Sequence, residues 1–133
     1  MLAQSSVPLN QLEESFKTSK GEVKETVARK ILNGYGRDGV QFLVGELNSP
    51  SSENDIESTE ETLYILAKVL GEASQEFVTE ALKALEETER VFSDADKLRL
   101  DPDFLSRFED RVFVSKILLQ NTAQPPMRLQ FKN

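Results

Sequence analysis

The side chains able to do chemistry in this chain form a restricted set. None of the 133 residues is Cys or His, which removes thiolate nucleophiles, disulfides, imidazole acid/base chemistry and Cys/His zinc sites together. What remains is 23 carboxylates, 16 lysines and arginines, and scattered hydroxyls. Two acidic pairs, Asp94-Ala95-Asp96 and Asp101-Pro102-Asp103, present the clustered oxygens that a hard cation takes. An EF-hand loop also needs a glycine at its sixth position and a late bidentate Glu, and neither follows Asp94. Acids placed at helix starts, where they face the positive end of the macrodipole, account for all four, so no metal site is expected. No motif picks one acid/base pair out of the carboxylates, so no catalytic residue and no cofactor is assigned.

Gly34-Tyr35-Gly36-Arg37-Asp38-Gly39 spells G-x-G-x-x-G, with Glu53, Asp55 and Glu57 some way downstream. A dinucleotide fingerprint needs a β-strand feeding its glycines, and the residues before Gly34 have helical spacing instead. A smaller expectation stands beside that of a plain turn. The N–H groups of a helix starting at Gly39, with Arg37 nearby, could hold a phosphate or a partner's carboxylate.

Charge is the most informative polar feature. The formal net charge is −7, which argues against wrapping a nucleic acid or lying on an anionic membrane. Residues 1–40 and 91–133 each sum to +1, whereas residues 41–90 sum to −9. The excess includes Glu72, Glu76 and Glu80. Such a surface serves solubility or docks a basic partner, with steering that weakens in salt. The C-terminal run Met127-Arg128-Leu129-Gln130-Phe131-Lys132 alternates apolar with polar, the period of an extended strand. Met127, Leu129 and Phe131 could therefore dock on this chain's own acidic hairpin or on a partner, or the tail could remain unheld.

Elements that would position these groups are helical, because apolar residues recur at a period near 3.6 through most of the chain. A first helix opens near Pro8 and carries Leu9, Leu12 and Phe16. Ser19 with Glu22, Asp38 with Gln41, and Ser58 with Glu61 have the spacing of capping boxes. They open helices carrying Val23, Val27, Ile31 and Tyr35; Val40, Leu43, Val44 and Leu47; and Leu63, Leu66, Ala67 and Leu70. Tyr64, Ile65 and Val69 widen the last stripe almost around the cylinder, which marks that helix as the central element. Residues 48–57 read as a loop. Gly71 ends the central helix, Ser74 caps the next, and Phe77, Val78, Ala81, Leu82 and Leu85 form its buried face. A weaker helical piece is expected within 91–100. Asp101 as N-cap with Pro102 at N1 starts a final helix to about Gln120, burying Phe104, Leu105, Phe108, Val112 and residues around Ile117 to Leu119.

A shift of 35 residues aligns the chain with itself: Ile31 meets Leu66, Tyr35 meets Leu70, Gly36 meets Gly71, Phe42 meets Phe77 and Leu47 meets Leu82. Ile31 to Leu47 and Leu66 to Leu85, each an apolar helix, a glycine-centred turn and a second apolar helix, resemble HEAT-type repeats. The resemblance covers about half the chain. It implies a curved stack of helical pairs whose usual work is holding other macromolecules. Asp38 matches the acidic turn position of that family, whereas its equivalent in the second unit is Ala73.

The sequence therefore predicts an all-α domain over residues 1–120, with five or six helices and two central antiparallel hairpins stacked as HEAT-like repeats, followed by an extended tail over 121–133. Met1 to Phe16 lacks a basic start and a long apolar run, and no stretch reaches the roughly 18 apolar residues of a membrane span, so a cytoplasmic chain is expected. The expected function is a non-enzymatic binding, assembly or adaptor protein that meets a basic partner through Glu72, Glu76 and Glu80 and through Met127, Leu129 and Phe131. A phosphate- or small-ligand-binding regulator using Arg37 and Gly39, or an accessory subunit of an enzyme complex, is the alternative. A homodimer is compatible with either, because a short stack exposes apolar ends.

Overall fold

A computed structural model describes residues 7–48, 56–91 and 101–123. It is all-α, with six helices: α1 (Leu9–Thr18), α2 (Gly21–Gly34), α3 (Gly36–Asn48), α4 (Ile56–Leu70), α5 (Val78–Val91), preceded by a 3-10 turn over Gln75–Phe77, and α6 (Pro102–Ala123). Among the described residues there is no strand, and none of the helices is long and apolar enough to cross a membrane. The helical piece expected within 91–100, the Asp94 pair and the C-terminal tail from residue 124 onward lie outside the described residues.

The helix starts divide into two kinds. At α6 the local pattern holds: the Phe104 amide donates to the Asp101 carboxylate at 3.3 Å and the Leu105 amide to the Asp101 carbonyl at 2.9 Å, with Pro102 at the first helical position. None of the three capping boxes forms. Ser19 instead ends α1, its amide donating to the Ser15 carbonyl at 2.9 Å. Helix α2 begins at Gly21, at φ 60°, a left-handed conformation that glycine adopts without strain. The Gly21 amide donates to Glu61 of α4 at 2.9 Å. Helix α3 begins at Gly36, also left-handed at φ 56°, so Asp38 lies inside its first turn rather than before it. Helix α4 begins at Ile56, ahead of Ser58.

Pairwise contacts fix the layout. Gly21–Glu61, Glu25–Lys68 and Arg29–Glu72 step along α2 and α4 together, so these helices run in the same direction. Arg37–Glu80 and Asn48–Thr88 do the same for α3 and α5. Asp101 with Glu60, and Ser115 with the Ala67 carbonyl, set α6 alongside α4, again in the same direction. Helices α2, α4 and α6 therefore form one row, α3 and α5 a second, and α1 packs on α2. A single residue, Tyr35, joins α2 to α3, and their close approach depends on Gly39, where a Cβ would stand 2.2 Å from the Ile31 carbonyl oxygen. The second pair opens out: α4 and α5 pack more closely on α3 and α6 than on each other, with residues 71–77 between them.

Helix α4 is the central element. Leu63, Leu66, Ala67, Val69 and Leu70 are fully buried and Ile65 nearly so, against α2, α3 and α6. Each such leucine contributes about 1.5–3 kcal/mol on transfer from water. In α2 the buried stripe is Val27, Ala28, Ile31 and Leu32. Val23, expected in it, is 61% exposed, while Lys24 is buried. The stripe is rotated because α1 covers that side, with the Lys24 ammonium beneath the Phe16 ring, 4.2 Å from its centroid.

A candidate protein-docking groove

Of the acidic residues singled out by charge, Glu72 and Glu80 lie at the seam between the two helix pairs. Glu72, just beyond α4, accepts two bonds from the Arg29 guanidinium, each 2.7 Å long. Glu80 of α5 pairs with Arg37 of α3, whose guanidinium also stands over the Phe77 ring. Two of the three acids thus stitch one unit to the next. Glu76, in the 3-10 turn, is exposed and makes no ion pair or hydrogen bond among the described residues, and the same holds for Glu86. Bonding to Glu72 and Glu25 raises the Arg29 pKa further above its ordinary value, although desolvation opposes this. Burial would raise the Glu25 pKa, but the bonds from Lys68 and Arg29 outweigh it and hold the carboxyl below its ordinary value.

The anion site expected at Arg37 and Gly39 is not formed. Gly39 is buried within α3 and its amide donates to the Tyr35 carbonyl at 3.4 Å, while Arg37 is engaged by Glu80. The expectation failed because α3 starts three residues earlier than the spacing of Asp38 and Gln41 suggested. Met127, Leu129 and Phe131 lie outside the described residues, and no structural role is assigned to them.

Between the parallel helices α3 and α5 runs an open groove of about 320 Å³. Val40, Val44 and Ala84 supply its apolar floor, Asn48 closes one end, and Glu80 and Glu87 stand on its α5 side with Lys83 between them. Spaced seven residues apart, the two glutamates share one face of α5. Asn48 is fixed by donating to the Thr88 hydroxyl at 2.9 Å and to the Ala84 carbonyl at 3.3 Å, so the end of α3 is held against α5. Charge alone pointed to Glu80, but not to the apolar floor: Val40 is core, as its period suggests, and Val44, which reads as core too, is left half-buried beside α5.

A second charged cluster surrounds Lys24. Its ammonium donates to the Phe16 carbonyl and stands 3.5 Å from the Ser19 carbonyl, closing the C-terminus of α1. Burial lowers its pKa, partly offset by Glu61 and Glu46. The adjoining pocket is small, about 70 Å³, and Lys24 is already bonded within the chain. Among the described residues no group of three or more Asp and Glu could hold a metal ion. No family model, no curated protein and no solved structure matches this chain.

Proposed function

We propose that the chain is a non-enzymatic protein-binding scaffold that takes a basic, amphipathic segment of a partner protein into the groove between α3 and α5. The observation that carries this reading is the combination in one groove of an apolar floor, Val40, Val44 and Ala84, with a rim bearing Glu80 and Glu87. Apolar side chains of the partner would fill the floor while its lysines and arginines meet Glu76, unpaired among the described residues, and displace Arg37 and Arg90 from their exposed pairs with Glu80 and Glu87, a charge arrangement that speeds association. The two helix pairs are read as HEAT-like units. The support is that α2 and α4 run together, as do α3 and α5, with the 35-residue shift superposing the range of α2 on that of α4. Stacked helical pairs offer extended surfaces of this kind.

The test is a titration with a defined probe, a leucine- and lysine-containing amphipathic peptide, followed through the backbone amide resonances. Shifts should centre on Val40, Val44 and Ala84, and affinity should fall by at least about tenfold between 0.05 and 0.5 M salt, where the screening length drops below ~5 Å. Glu76→Lys with Glu87→Lys should abolish them without unfolding the chain. Shifts spread evenly over the surface, or a double variant that binds as well as the parent, would refute the groove.

A further inference from the structure

From Val112 to Leu119 helix α6 carries apolar residues on its outer as well as its inner face. Its inward face buries Val112, Ser115 and Leu119, yet Phe113 is 61% exposed and Val114, Ile117 and Leu118 are each 40–43% exposed. This contradicts the expectation that residues around Ile117 to Leu119 are core: only Leu119 is. In the row α2, α4, α6 the last helix packs on α4 and, across the row, on α5, with no helix on its outer side among the described residues, and the exposed four lie where a further helix would pack. They amount to roughly 400 Å² of contiguous surface, the size at which patches on monomers become functional.

From this face we infer that the chain forms a two-fold dimer through α6, with a second copy of the same chain as the occupant. Charge favours that occupant. In a chain of net charge −7, like-charge repulsion opposes self-association almost everywhere, but from Val112 to Ala123 the only charged residue is Lys116, and its ammonium is bound to Glu89 of α5 at 2.9 Å. Two copies can meet here without bringing carboxylates together. The pattern is also self-complementary: positions 113, 114, 117 and 118 read the same in both directions. Two α6 helices crossing antiparallel would therefore set Phe113 of one copy against Leu118 of the other, and Val114 against Ile117, each pair occurring twice as a two-fold interface requires. Opposed helix dipoles favour the same orientation. Phe113 also lines a groove of about 360 Å³ between α5 and α6, with Leu105, Phe108 and Val112 as its apolar part; Glu89 and Glu109 stand in the same groove, which confines the two-fold contact to the four residues.

With roughly 400 Å² from each copy, the contact lies below the standard size of stable interfaces and belongs with weak, reversible ones. Sedimentation equilibrium of the full chain, from about 1 µM to about 1 mM, should show the mass rising from 15.0 kDa toward twice that value, with half-association in the range of tens to hundreds of micromolar. Phe113→Glu and Ile117→Glu alter exposed positions. Each should keep the helical circular dichroism of the parent and remain monomeric throughout. Because the chain has no cysteine, mixing Phe113→Cys with Leu118→Cys under mild oxidation should give the mixed cross-link several-fold faster than either single-variant product. A parent that stays monomeric at every concentration would mean that its own C-terminal residues or a different protein covers α6, and would overturn the inference. So would a dimer indifferent to both Glu substitutions, or cross-linking without preference for the mixed product.

Discussion

Helix α4 and the stretch of α6 from Val112 to Leu119 share a sequence signature, more apolar residues than one buried stripe can hold, and the structure treats them differently. Helix α4 is enclosed by α2, α3 and α6, so Leu63, Leu66, Val69 and Leu70 are all buried. In α6 the equivalent surplus, Phe113, Val114, Ile117 and Leu118, faces outward. The difference is one of position in the row rather than of composition: among the described residues α4 lies between α2 and α6 with α3 across it, whereas α6 has α4 and α5 and no helix on its outer side. Such a surplus thus predicts that the helix will be covered, while leaving open whether the cover comes from the same chain.

Truncation at the two places should break or confirm this contrast most clearly. Leu66→Ala in α4 should cost about 2–5 kcal/mol of unfolding free energy, whereas Leu118→Ala at micromolar concentration should change it by less than about 0.5 kcal/mol. Urea melts of both variants beside the parent give the numbers, and equal losses would erase the distinction. The next largest effect concerns how α6 covers α4. A Cβ at Gly71 would stand 2.6 Å from the Ser115 hydroxyl, which itself donates to the Ala67 carbonyl, so Gly71→Ala should destabilise by about 1–3 kcal/mol. Gly45 has nothing within 4 Å of its Cβ position, so the same substitution there should stabilise an exposed helix by roughly 0.5–1 kcal/mol.

Much of this layout was legible in the sequence. The Asp101-Pro102 start, the central place of α4 and the breaks near Gly36 and Gly71 all follow from local chemistry and periodicity, because the signals there agree with the tertiary packing. What was misread shares one physical cause, namely long-range partners outcompeting short-range ones. Ser19 with Glu22 looks like a cap, but the amide at the start of α2 is met by Glu61 forty residues away. Val23 fits the period of its helix, yet α1 turns Lys24 inward instead. The acids at 72 and 80 signalled charge correctly, but not that Arg29 and Arg37 of the preceding unit would engage them. The floor of the α3/α5 groove carried no local signal, since it exists only once two distant helices lie side by side.

Smaller effects should appear in the pH dependence. Burial lowers the Lys24 pKa in the folded state, so between that lowered value and the ordinary lysine value the unfolded chain binds more protons and stability should rise with pH. Lys24→Met should remove this slope when unfolding is followed from about pH 8 to about pH 10.5. A parallel slope in the variant would show that the lysine is not desolvated by α1. Glu25 behaves in the opposite sense: its depressed value contributes stability above the ordinary carboxylate range that is lost as pH falls through the lowered one. Smallest of all should be Arg29→Gln at the α2/α4 seam. The Arg29–Glu72 pair is more than a third exposed on both sides, so after solvent screening its loss should cost no more than about 1 kcal/mol, and less in high salt.

Amide hydrogen exchange, measured residue by residue at two protein concentrations, tests the contrast between the enclosed and the uncovered helix most directly. The α4 amides from Leu63 to Leu70 should be among the slowest in the molecule and indifferent to concentration, while those from Phe113 to Leu118 should exchange faster in dilute solution and slow as the chain is concentrated. Equal protection of the two segments at both concentrations would contradict the account.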